Sequence, residues 1–79
     1  GKHILIVEDE PVFRSLLDSW LSSLGATTAL AEDGVDALEK MVSITPDLMI
    51  CDIAMPRMNG LKLVEHLRNE GNQTPILVI

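Results

Sequence analysis

Polar and apolar positions divide the chain into blocks of two kinds. Four are short apolar runs: His3 to Val7, Ala26 to Ala31, Leu48 to Cys51 and Pro75 to Ile79. Continuous hydrophobicity, rather than alternation, is what a strand covered on both faces of a parallel sheet requires. The second run, diluted by Thr27 and Thr28, suits the edge of such a sheet. Between the runs lie three segments with helical spacing. Val12, Phe13, Leu16, Leu17, Trp20, Leu21 and Leu24 recur along one face, after Pro11 and a capping Asp9 or Glu10, and Gly25 stops them. Trp20, inside this stripe, is expected to pack in the core. Val35, Leu38, Met41 and Val42 mark a second helix, capped at Asp33-Gly34, ending near Ser43 and turning Asp36 and Glu39 to solvent. Leu61, Val64 and Leu67 mark a third, ended by Gly71. Thr45-Pro46 forces an extended entry into the third strand.

The resulting order, β-α-β-α-β-α-β with short connections, predicts an α/β fold: a doubly wound parallel sheet joined by right-handed crossovers, with helices on both faces. At 79 residues the chain holds one domain at most, and it is short beside the roughly 100 to 150 residues common for domains. A last strand as apolar as Ile76 to Ile79 expects a neighbour or a covering helix. The expectation is therefore a larger domain without its C-terminal part. Such a piece should be unstable, dependent on a partner or prone to strand exchange.

Charge and composition narrow the function. With 6 Lys+Arg against 12 Asp+Glu and a net charge of −6, the chain lacks the clustered cations that displace counterions from a nucleic acid. No apolar run approaches the ~18 residues of a membrane helix, and the start shows no signal-peptide pattern, so a cytoplasmic protein is expected. The single cysteine, Cys51, lies within an apolar run and reads as a small hydrophobe. Asn72-Gln73-Thr74 matches a glycosylation sequon that carries no meaning inside a cell. Neither His3 nor His66 has metal-ligand spacing to a second His or Cys.

What remains is a set of acids at strand ends. Glu8 and Asp9 follow the first strand, and Asp52 follows the third, before a loop rich in Pro, Asn and Gly. Ligands of open α/β sheets sit beyond the carboxyl ends of the strands, and if strands one and three are neighbours, all three acids share one pocket. Two carboxylates about 4 Å apart at an effective dielectric near 20 repel by roughly 4 kcal/mol. Either a proton or a hard divalent cation has to compensate. Mg²⁺ fits, since it takes one or two carboxylates and keeps waters that a phosphoryl oxygen can displace. A carboxylate beside such an ion can serve as a nucleophile without a general base. The plainer reading is that Glu8, Asp9 and Glu10 open a helix at its positive dipole end and Asp52 caps a loop. Arg57, in the loop, reads either as a solvated charge or as a contact to a kinase or a phosphate.

Ile4 to Asp9, Asp33-Gly34 with Asp36-Ala37-Leu38, Pro46 to Asp52, and Met55-Pro56-Arg57-Met58-Asn59-Gly60 together resemble the response-regulator receiver domain. The likeness runs the whole length, so residues 1–79 would be the N-terminal two-thirds of one receiver, with flavodoxin-like strand order 2-1-3-4 and its last two helices and fifth strand absent. It implies that Asp52 accepts phosphate from a histidine kinase or a small phosphodonor. It further implies Mg²⁺ bound by Asp9, Asp52 and the backbone carbonyl of Ala54, with Glu8 acting through water. Glu8 stands where the family mostly has Asp. The family's Ser or Thr after the fourth strand and Lys after the fifth have no counterpart, and Lys2, Lys40 and Lys62 do not inherit the Lys role. A narrower likeness, in I-V-E-D-E, F-R-S-L-L-D-S-W and C-D-I-A-M-P-R-M-N-G-L-K-L, is to receivers of adaptors that direct the stationary-phase sigma factor to proteolysis. Two other readings compete with a phosphorylated signalling module: an interaction domain indifferent to phosphate, and an aspartyl-phosphate phosphohydrolase. The second is weakened by Ala54, where many such enzymes carry an acid.

Overall fold

The computed structural model describes residues 2–54 and 57–79, and the Met55-Pro56 part of the loop motif lies outside them. Four strands, β1 (His3–Val7), β2 (Thr27–Ala31), β3 (Leu48–Cys51) and β4 (Ile76–Val78), alternate with α1 (Pro11–Ser23), α2 (Gly34–Lys40) and α3 (Gly60–Asn69). All strand pairs are parallel, in the order β2-β1-β3-β4. β1, one of the two inner strands, alternates its side chains between the sheet's two faces. Ile4 and Ile6 join Ile50 and Leu21 on one face, while Leu5 and Val7 join Met49, Cys51, Ala37, Leu63 and Leu67 on the other. The first face is covered by α1, and the second cluster draws on α2 and α3.

Each helix starts where the sequence supplies a cap. Glu10 accepts from Phe13 N at 2.8 Å with Pro11 following, Asp33 accepts from Asp36 N at 2.8 Å, and Asn59 accepts from Lys62 N at 2.9 Å.

Three expectations about the helices are corrected. Trp20 is 59% exposed, and Val12, Phe13, Leu16 and Leu24 are exposed with it. A helix lying on a sheet touches it along one narrow line, and Leu17 and Leu21, four residues apart, occupy that line. The stripe is wider than the contact. In α3 the buried residues are Gly60, Leu63 and Leu67, not Leu61. Helix α2 ends at Lys40, so Val42 falls in the following turn, fully outside the core.

The two leucines of α3 give a direct check. Leu63→Ala should cost about 3 kcal/mol in urea unfolding, because its side chain is wholly buried and leaves a cavity. Leu61→Ala should cost less than about 0.5 kcal/mol. Equal losses would place the helix in the other rotation.

Candidate functional site

The register of the sheet brings the acids together. Val7 pairs with Cys51, so the residues that leave β1 and β3 emerge side by side at the same edge. Glu8 N donates to Ala31 O and Asp52 N to Val7 O, each at 3.0 Å, which ties the ends of β2, β1 and β3 at one level. Carboxylate oxygens of Glu8, Asp9 and Asp52 lie within 4.8 Å of one another. Glu8 is buried, Asp52 half-buried and Asp9 exposed, so the cluster opens to solvent on one side.

Glu8 is the unusual member. It is 3% exposed; Oε1 accepts from Glu10 N at 3.1 Å, and Oε2 is buried with no hydrogen-bond partner among the described residues. Burial pushes its carboxyl up to about 7, and the charges of Asp52 and Asp9 act in the same direction, while the bond from Glu10 N opposes them. An orphaned buried oxygen facing two further carboxylates fits a hard cation, the remedy that Coulomb repulsion demands. Arg14, on the first turns of α1, donates to the Glu8 carbonyl at 2.9 Å and fixes the chain as it leaves β1.

Asp52 begins the loop that leads to α3. Its Oδ1 accepts from Ala54 N at 3.3 Å, Ile53 N donates to Ile79 O at 3.2 Å, and Gly60 N donates to Ile53 O at 2.9 Å. Gly60 is required by proximity: a Cβ there would stand 2.6 Å from Asp52 O. Cys51, just before, is buried in the core, and burial, followed by the charges of Asp52 and Glu8, pushes its thiol up to about 11. It is no reactive thiolate.

Residues 4–79 match the response regulator receiver domain. The chain belongs to the response regulator receiver family. Over its full length this receiver is 81% identical to "Regulator of RpoS" of Escherichia coli K12, of which it spans 23%. The response regulator TrrA of Thermotoga maritima, solved in complex with Mg²⁺-BeF, superposes with a TM-score of 0.84 at 41% identity over 89% of the chain and 61% of TrrA. A Francisella receiver domain superposes with a TM-score of 0.95, covering 99% of the chain and 64% of that domain, and at 24% identity it speaks for the fold alone.

Among the described residues, two further ion pairs run along α2 and α3 and take no part in the acidic cluster. His66 pairs with Glu70 at 3.2 Å on α3, and Lys40 with Asp36 at 3.0 Å on α2. A depression of about 390 Å³, lined by His3, Thr27, Ile44 and Pro46, lies where the strands begin, at the far end of the sheet from the acids. The pattern of the sequence missed one arrangement. Asp33, which the sequence pattern marks only as a cap, is buried and receives the guanidinium of Arg57, a side chain that the pattern leaves open between a solvated charge and a contact to a kinase or a phosphate. The signal was present only as an acid beyond β2 and a base beyond β3, two residues whose contact depends on the sheet order.

Proposed function

We propose that this receiver takes a phosphoryl group on Asp52, with Mg²⁺ held by Asp9, Asp52 and the Ala54 carbonyl and steadied by Glu8 through water, and that the added charge regulates a partner. The observation that carries the reading is the buried, unpartnered Glu8 Oε2 facing Asp52 and Asp9. When bound, Mg²⁺ would supply positive charge to the phosphoryl oxygens as they approach three acids. An Asp52 oxygen contributes the lone pair that forms the new O–P bond, while the donor's P–N or P–O bond breaks in line and its electron pair leaves with the imidazole or the carboxylate. The Ala54 N–H keeps the carboxylate of Asp52 oriented, and the Arg14 bond keeps Glu8 at the rim of β1.

The donor is a histidine-kinase phosphohistidine or a small acyl phosphate. The likeness to "Regulator of RpoS" supports the stationary-phase sigma factor and its protease machinery as the output partners, in a cytoplasmic setting. A phosphoryl group adds about −1.5 to −2 charges, enough to bias a two-state surface. The residues 1–79 are then the N-terminal two-thirds of a receiver within a longer adaptor.

Intact-mass measurement of the full-length protein with Mg²⁺ and acetyl phosphate should show one phosphate adduct, lost in Asp52→Ala. An adduct that survives the substitution moves the acceptor elsewhere. No adduct at all, with sigma-factor capture intact, favours the interaction domain indifferent to phosphate.

A further inference from the structure

Asn59 and Gly60 join the acidic loop to α3, and the two residues carry a chemistry of their own. Of the three asparagines in the chain, Asn59, Asn69 and Asn72, only Asn59 precedes a glycine. In an Asn-Gly pair the backbone nitrogen of the glycine, unshielded by a side chain, can attack the asparagine side chain. Loss of its proton to hydroxide frees the electron pair that forms the N–Cγ bond. The Cγ–Nδ2 bond breaks, and ammonia leaves with a proton taken from water. Water then opens the five-membered succinimide at either carbonyl. One opening gives aspartate. The other gives isoaspartate, in which the main chain runs through the former side chain and is one methylene longer.

The closed fold opposes each part of this reaction. Gly60 N donates to Ile53 O at 2.9 Å, so the proton that must leave is held. Asn59 caps α3, its Oδ1 accepting from Lys62 N at 2.9 Å, which fixes the side chain on the first turn of the helix. Ring closure requires the Cα–Cβ bond of Asn59 to eclipse the C–N bond to Gly60, and with ψ at 165° the two bonds stand well apart. Turning ψ would carry Gly60 off Ile53. The backbone has no slack there: a Cβ on Gly60 would stand 2.6 Å from Asp52 O and 3.0 Å from Ile53 Cα.

We propose that Asn59–Gly60 is a latent deamidation site gated by the Gly60–Ile53 closure: the closed loop withholds the reaction, and a loop opened and converted to isoaspartate does not close again. Withholding follows from the three restraints, all of which the reaction has to break. Irreversibility follows from lack of room, because the extra methylene enters the main chain directly beside the contact with Asp52 O. Aspartate keeps the chain length, caps a helix as well as asparagine does and places a negative charge at the helix's positive end. The gate needs no phosphoryl group on Asp52.

The test holds the full-length protein at pH 8 and samples it over days. Trypsin releases Met58–Lys62, whose asparaginyl, aspartyl and isoaspartyl forms separate by chromatography. Deamidation should run at least about a hundredfold slower than in the same peptide made synthetically. Modification of an open state tracks its population, so urea below the unfolding transition should speed it progressively. Leu63→Ala removes the buried anchor of the turn in which Leu63 N donates to Asn59 O at 3.0 Å, and should speed it about tenfold. Asn59→Asp should melt within about 2 °C of wild type. Isoaspartyl protein, purified after ageing in urea and returned to buffer, should melt at least about 5 °C lower and exchange its Gly60 and Leu63 amides faster.

A native rate equal to that of the peptide would overturn the gate. So would a slow rate that neither urea nor Leu63→Ala raises. Isoaspartyl protein that melts with Asn59→Asp would show that the loop accommodates the methylene, and would overturn irreversibility.

Discussion

In metal-free buffer at pH 8, Glu8→Gln should melt about 10 °C above wild type, and in excess Mg²⁺ that advantage should shrink or reverse. The first effect follows from burial. Glu8 is buried with one oxygen unpartnered, and its carboxyl is pushed up to about 7 from 4.5, first by burial and then by Asp52 and Asp9. A group whose folded value lies above its unfolded one contributes stability in full below the unfolded value, and loses it as pH rises through the folded one. Wild-type stability should therefore fall between about pH 4.5 and pH 7 from this group, by a sum on the order of 3 kcal/mol at ~1.4 kcal/mol per pH unit. Glutamine keeps the shape, carries no charge and turns the orphaned acceptor into a donor facing carboxylates. Its melting curve should be flat over that window, and for a domain of this size each kcal/mol moves the midpoint by roughly 4 to 8 °C. The second effect follows from the cation's need for charge: loss of a supporting carboxylate typically costs 10–100-fold in metal affinity, so Mg²⁺ should stabilise the variant less than it stabilises wild type. Calorimetric melts from pH 5 to 8, with and without Mg²⁺, check both signs. A wild-type midpoint independent of pH would refute the burial argument.

Gly60→Ala should be the most damaging one-carbon change in the loop. The added Cβ would meet Asp52 O at 2.6 Å, Ile53 Cα at 3.0 Å and Asp52 C at 3.2 Å, all backbone, so no side chain can swing aside. Overpacking of this kind costs about 1–3 kcal/mol, against which alanine returns at most about 1 kcal/mol of helix propensity at the start of α3. The net loss of about 1 kcal/mol understates the functional one. The chain must shift at Asp52, the proposed acceptor, so uptake of phosphate from acetyl phosphate should drop by at least tenfold in protein that remains folded. Wild-type rates in a folded Gly60→Ala protein would mean that the position of the Asp52 carbonyl is immaterial.

Strands and acids were legible because each is specified locally. Ile4 to Val7 and Met49 to Cys51 are buried on both faces, so their hydrophobicity is unbroken, and the acids that stop each run mark the sheet's edge without reference to anything distant. Helix rotation was less legible. In α3, Leu61, Val64 and Leu67 make as good a helical face as Leu63 and Leu67; what decides between them is Gly60, which must turn toward the Asp52 carbonyl and carries Leu63 and Leu67 inward with it. In α1 the apolar stripe exceeds the line of contact, and sequence alone does not say which half meets β1 and β2. The Asp33–Arg57 pair spans 24 residues and exists only because the ends of β2 and β3 flank β1, a fact of topology rather than of pattern.

The exposed flank of α1 has a spectroscopic consequence. Trp20 is the sole tryptophan, there is no tyrosine, and it stands nine residues beyond Pro11, about 14 Å along the helix from the end nearest the acids. Its indole faces water beside Leu16 and Leu24, so the chain's fluorescence is that of a solvated fluorophore remote from the acidic cluster. A macromolecule that settles on α1 would shift that emission toward the blue, while occupancy at Asp52 would leave it almost silent.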